Sequence, residues 1–164
     1  MPKITLVLHN IRSTHNVGAI FRTAEGFGID KIILSGYTPY PRLTNDPRLP
    51  HISEKLTAQI HKTALGAEAL VPFEYIDDVM SWLKRFDGQI IALEQTPNSI
   101  ALPDFHPPQK IALVLGEEVD GINQELLELC DQAIEIPMSG QKESFNVSVA
   151  CGIALYALTQ GPTS

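Results

Sequence analysis

Cysteine is scarce. The 164 residues hold two, Cys130 and Cys151, both in apolar surroundings and without the spacing of a metal site. They read as reduced core thiols of a cytoplasmic protein, and a disulfide scaffold is not expected. Long hydrophobic runs are missing too. No stretch approaches the roughly 20 apolar residues of a membrane span. The first apolar run, Ile4 to Leu8, is too short for a signal-peptide core and has no cleavage region after it. There is no low-complexity segment and no internal repeat. Positive charge is also in short supply: 12 Lys and Arg stand against 19 Asp and Glu, for a net charge of −7. Taken as a total, that argues against a nucleic-acid partner.

The distribution of charge reverses the argument. Residues 1–62 carry eight Lys/Arg against four Asp/Glu, and residues 63–164 carry four against fifteen. Four of the five histidines also lie in the first segment. Phosphate binding depends on a local basic surface, not on whole-chain charge. Chance unevenness in a small count is the other explanation. The chain is otherwise of ordinary globular composition, 44% hydrophobic, and is expected to form one domain over residues 1–164 with a real core.

Short apolar runs recur at Ile4–Leu8, Ile32–Leu34, Ile90–Leu93, Ile111–Leu115 and Ala133–Ile136. They are continuous, not alternating, as in parallel strands buried on both faces. Helical patterns lie between them. Val17, Ile20, Phe21, Ala24 and Phe27 share one face. Leu56, Ile60 and Ala64 share another, with Ser53 as an expected cap and Gly66 as a stop. Val79, Met80, Leu83 and Phe86 form a third, ending at Asp87-Gly88. Alternating strand and helix predicts an α/β fold with helices on both sheet faces. Residues 35–52 hold four prolines, Tyr37, Tyr40, Arg42 and Arg48, which read as a long irregular loop, either functional or a plain surface connection. From Val147 to Leu158 nearly every residue is apolar or small. A helix apolar all round needs two covered sides; burial inside the chain is one way to cover both, but a domain of this size rarely buries its last helix completely, so a homodimer interface is expected there.

Three strand-to-helix junctions carry candidate chemistry. In the first, His9 to Ala24, Asn16 is an expected N-cap, and the free N–H groups beyond it suit an anion. Arg22 lies opposite the apolar face and points to solvent, a ligand or a partner chain. In the second, Ile111 to Ile122, a buried strand ends at Gly116, where backbone can approach a ligand beyond the carboxyl end of the sheet. Gly116 and Gly121 do not make a phosphate loop, because Ile122-Asn123 stand where Lys and Ser/Thr are needed. In the third, Ile136 to Ala150, Ser144 or Asn146 is placed to cap the final helix, and neither has the neighbouring His and acid of a nucleophile. Each signal alone also fits a bland role: a solvated Arg22, a capping Asn16, a turn carboxylate at Glu118, a simple connection at 137–146.

Together they resemble one family. Asn16-x-Gly18-x-x-x-Arg22-Thr-Ala, Leu115-Gly116-x-Glu118-x-x-Gly121 and Ile136-Pro-Met-x-Gly-x-x-x-Ser144-Phe-Asn146-Val-Ser-Val-Ala are similar, in order, to the three motifs of the SpoU (TrmH-like) RNA 2′-O-methyltransferases of the SPOUT superfamily. Lys62 to Glu68 is similar as well. Phe145 departs mildly, since the family usually has leucine there. The resemblance implies a parallel-sheet α/β knot, its C-terminal segment threaded as a trefoil, and a homodimer. It implies S-adenosylmethionine held at Leu93, Gly116, Ile136, Met138, Ser144 and Phe145, with no metal. It further implies methyl transfer to a ribose 2′-hydroxyl of RNA, with Asn16, Arg22, Glu118, Ser144 and Asn146 as catalytic candidates. An arginine matching Arg22 is the family's proposed base. A guanidinium stays protonated, so phosphate and alkoxide binding is the narrower expectation. Many members carry an added RNA-binding domain. None is evident in these residues, so recognition is expected from the basic N-terminal third and the 35–52 loop, with tRNA favoured over ribosomal RNA. Two alternatives stand beside this reading: a non-catalytic RNA-binding module, and a small-molecule α/β enzyme with a nucleotide cofactor. The second lacks a dinucleotide glycine fingerprint and a phosphate-loop lysine.

Overall fold

The computed structural model describes residues 1–160. Seven parallel strands form one sheet in the order β3-β2-β1-β6-β4-β7-β5. In chain order they are β1 (Lys3–His9), β2 (Lys31–Ser35), β3 (Phe73–Ile76), β4 (Gln89–Leu93), β5 (Ile100–Ala101), β6 (Lys110–Leu115) and β7 (Gln132–Glu135). Five helices cover it: α1 (Thr14–Gly26), α2 (Pro50–Ala64), α3 (Val79–Lys84), α4 (Gln124–Leu129) and α5 (Val147–Gln160). The expected two-sided burial is present. Ile4, Leu6 and Leu8 of β1 and Ile111, Leu113 and Leu115 of β6 meet α1, α2 and α5. Val7, Ala112 and Val114, pointing the other way, meet α3 and α4. Side chains alternate across a strand, so an unbroken apolar run fills both layers. Among the described residues no helix is long and apolar enough to cross a membrane.

Two expected helix starts are corrected. Ser13, not Asn16, caps α1: its hydroxyl accepts from the Asn16 amide at 3.2 Å. The hydroxyl side chain three residues earlier reaches the same orphan donors first. Ser53 does not cap α2. That helix begins at Pro50, whose missing N–H costs nothing in a first turn, and Ser53 is buried inside it, donating to Pro50 O. At the far end, Leu65 takes the left-handed position with φ 53°, one residue before Gly66. Gly18 has a packing reason: a Cβ there would meet Ile60 O and Thr63 Oγ1, so glycine lets α1 and α2 lie close. Thr63 Oγ1, within the Lys62–Glu68 segment, also donates to His15 O at 2.9 Å across this crossing.

β7 lies between β4 and β5, strands that precede it in the chain with β6 between. The segment after β7 rests against the β4–β5 connection, where Gln95 Nε2 donates to Glu143 O at 2.8 Å. The chain then returns to pack α5 on α1. β4, β6 and β1 adjoin in the sheet, so the loops leaving the carboxyl ends of β1, β6, β4 and β7 gather at one edge. One side of α5 is covered: Cys151, Ala154, Leu155 and Leu158 are buried, whereas Val149, Ile153 and Tyr156 remain exposed.

Candidate active site

A cleft of about 230 Å³ opens at that edge. Leu93, Gly116, Ile136, Met138, Ser144 and Phe145, all expected from the sequence as cofactor contacts, line it together. Glu118 and Asn146 line it as well. Gly116 is required by its own loop. A Cβ there would lie 2.6–2.7 Å from Ile122 and Gly121, because the chain folds straight back. The two amides of Glu117 and Gly121 exchange hydrogen bonds of 3.1 and 2.9 Å with each other's carbonyls.

Glu118 is the hinge between this loop and the start of α1. Its carboxylate accepts from Arg12 N at 3.3 Å, from Ser13 N at 3.4 Å and from Asn16 Nδ2 at 3.4 Å. The amides at the head of α1 do favour an anion, and the anion seated there is the protein's own Glu118. Asn16 Oδ1 in turn accepts from Asn146 Nδ2 at 3.3 Å. Asn146 caps α5, its Oδ1 accepting from Ser148 N at 2.9 Å and Val149 N at 3.4 Å. Three junctions far apart in sequence are therefore tied through amide and carboxylate groups. Ser144 is exposed on the rim of the cleft. Arg22 is not in the cleft: it stands exposed on α1, with no ion pair or side-chain hydrogen bond among the described residues.

Glu94 was not anticipated. It follows β4 directly and lines the cleft, with Oε2 accepting from Ile122 N at 2.9 Å and Oε1 from its neighbour Gln95 N at 3.1 Å. It fixes the 116–122 loop from below. With Glu117, Glu118, Asp120 and Glu135 it makes the polar lining of the cleft wholly acidic in charge. An apolar floor with carboxylates above suits a ligand that has a flat apolar part and a positive charge.

The fold belongs to a known class. The structure superposes on the AdoMet-bound rRNA methyltransferase from Sinorhizobium meliloti with a TM-score of 0.80, at 24% identity over 99% of this chain and 57% of that one. It matches the A. aeolicus TrmH/SpoU tRNA modifying enzyme with a TM-score of 0.77, at 25% identity over 98% of this chain and 75% of that one. The chain belongs to the SpoU rRNA Methylase family, whose profile matches residues 3–156. Among curated relatives, the 23S rRNA (guanosine-2′-O-)-methyltransferase RlmB of Coxiella burnetii is 32% identical over 158 residues, which are 94% of this chain and 57% of that protein. The protein of the same name from Haemophilus ducreyi is 32% identical over 161 residues, 96% and 59% of the two chains. The chain thus spans less than three-fifths of the length of these relatives.

Proposed function

We propose that this cytoplasmic protein transfers a methyl group from S-adenosylmethionine to a ribose 2′-hydroxyl of RNA. The observation that carries this reading is the joining of Asn16, Glu118 and Asn146 beside an apolar cleft with an acidic wall. The residues fit the cofactor. Leu93, Ile136, Met138 and Phe145 offer apolar surface for an adenosine, and the Glu94, Glu117 and Glu118 carboxylates favour the positive sulfonium and amino groups. When bound, S-adenosylmethionine supplies an already activated methyl group. The protein's remaining task is to hold a ribose oxygen in line with that methyl. The Asn16–Glu118–Asn146 tie fixes the loops that do so, and Ser144 on the rim is placed to orient the ribose.

Arg22 serves the reaction from a second copy of the chain. It is exposed on α1, and α1 packs on α5, whose Val149, Ile153 and Tyr156 form an uncovered apolar face. A homodimer built on that face brings Arg22 to the interface. Its guanidinium binds an RNA phosphate and the incipient alkoxide, and the 2′-hydroxyl gives its proton to water as its oxygen takes the methyl. Mixing two inactive variants tests this. Arg22→Ala and a cleft-blocking Met138→Arg, each inactive alone, should regain activity as a mixed dimer. Full turnover by Arg22→Ala alone would remove Arg22 from the mechanism.

For the RNA, the curated relatives, which are 23S rRNA methyltransferases, favour ribosomal RNA over tRNA, the compact target that two subunits were expected to grip. The A. aeolicus neighbour is a tRNA modifying enzyme, which keeps tRNA as the second arm of any assay. Parallel transfer to 23S rRNA fragments and to bulk tRNA, with ribose methylation mapped, separates the two.

A further inference from the structure

A second cleft, of about 540 Å³, lies beside the first. It is lined by Arg12, Tyr37, Tyr40, Arg48, Ser13 and Gln59 among others, and no carboxylate is among its lining residues. The two clefts share a wall. Arg12 lines the second, and its guanidinium meets Glu117 of the first at 3.3 Å. Arg12 is 76% exposed at its side chain, and it lies 5.6 Å from the centre of the Tyr37 ring. Tyr37 is itself 49% exposed.

We propose that Tyr37 and Arg12 form a subsite for the nucleotide next to the one that is methylated, with the base stacked on the Tyr37 ring and its phosphate on the Arg12 guanidinium. This rests on the RNA reading above and names where a flanking base sits.

An exposed aromatic ring is often incidental. Three observations set this one apart. First, its backbone is pinned: Tyr37 N donates to Asn10 Oδ1 at 3.1 Å, and Asn10 holds a left-handed φ of 59° to make that contact. Asparagine tolerates that region better than other non-glycine residues, which suits it to this turn. Second, the loop beneath is clamped. Tyr40 stacks on Tyr75 with centroids 4.3 Å apart, and Arg48 lies 3.5 Å over the Tyr40 ring. An exposed ring on a fixed backbone has less freedom to lose when a base stacks on it. Third, ring and exposed cation adjoin, which is the pairing that single-stranded RNA takes: π-face to aromatic, phosphate to guanidinium. Arg48 is nearly buried against Asp46, whereas Arg12, which meets Glu117 only at the surface, keeps most of its guanidinium open to a phosphate.

The test uses the full chain and a fluorescein-labelled 12-nucleotide single-stranded RNA of mixed sequence, read by anisotropy. Tyr37→Ala should weaken binding about tenfold, since one base–aromatic stack is worth roughly 1–3 kcal/mol. Tyr37→Phe keeps the ring and should stay within twofold of wild type. Arg12→Ala should weaken binding and lower the salt slope by about one. Tyr37→Ala binding as wild type, Tyr37→Phe losing as much as Tyr37→Ala, or no RNA bound by wild type would each overturn the subsite. Methyl transfer is measured separately. If it is absent while Tyr37→Ala still weakens RNA binding, the subsite stands and the methyltransferase reading falls.

Discussion

The Asn146 side chain donates to Asn16 across 130 residues of chain, and so joins the cap of the last helix to the first turn of α1. Asn16 uses its other amide atom on Glu118. An asparagine suits this place because it accepts and donates at once. Asn16→Asp loses the donor and sets a carboxylate against Glu118. We predict a fall of at least tenfold in kcat/KM for methyl transfer, with Tm lowered by only a few degrees. Asn16→Ala should behave similarly. Activity within twofold of wild type in both would mean that the tie is structural alone.

Asn146 also caps α5. Asn146→Ala should cost about 1 kcal/mol of stability, visible in a denaturant midpoint, together with the activity loss of the Asn16 variants. Asn146→Ser, which can still cap but is too short to reach Asn16, should recover the stability without the activity.

Asp46 and Arg48 clasp the 36–49 loop. Their side chains are nearly buried and bonded at 2.6 Å, and Arg48 also donates to Tyr40 O and Pro41 O. The Arg48 guanidinium holds the Asp46 carboxyl well below the usual carboxylate range. A depressed carboxylate contributes stability that is full above its unfolded value near pH 4 and fades as the pH falls through the folded value. Asp46→Ala should therefore cost about 2 kcal/mol at pH 7, with the gap to wild type closing steadily below about pH 4. A gap independent of pH from 7 to 2 would contradict the clasp.

Burial pushes the Cys151 thiol up to about 12 and the Cys130 thiol up to about 11. Thiolate is the reacting form. Neither should react with a thiol-exchange reagent at pH 8 in the folded protein, and both should react after unfolding. Rapid labelling of the native chain would show that one of them is accessible.

Val149, Ile153 and Tyr156 recur at helical spacing on the outer side of α5, and Tyr156 also meets Phe27 edge-on with centroids 6.3 Å apart. Sedimentation should show wild type as a dimer and Ile153→Asp as a monomer with intact secondary structure. A monomeric wild type would sink the shared-site role given to Arg22.

The central strands were legible because burial on both faces demands unbroken apolar runs, and β1, β2, β4, β6 and β7 all show them. β3 was not. It is an edge strand whose pattern is broken by Glu74, which pairs with Lys31 on the surface. β5 has two residues, too few for any periodicity. α4 is six residues long and depends on the Asn123 cap, which accepts from Leu126 N. The motif residues of the site were legible as types at fixed spacing. Their geometry was not. Nothing local says that Glu118 would reach the amides of Arg12 and Ser13, more than 100 residues away, or that Asn16 would give up its cap to Ser13. Glu94 escaped notice for the same reason, since its partner is a backbone amide 28 residues on.

Methyl transfer to ribose is read out by a single labelling assay. Methyl-labelled S-adenosylmethionine is incubated with the protein and unmodified 23S rRNA fragments or tRNA, and the RNA is digested to nucleosides. The label should appear in a single 2′-O-methylated nucleoside and vanish with Arg22→Ala. Label found on a base, or no label in any RNA while the cofactor binds, would exclude ribose methylation by this protein.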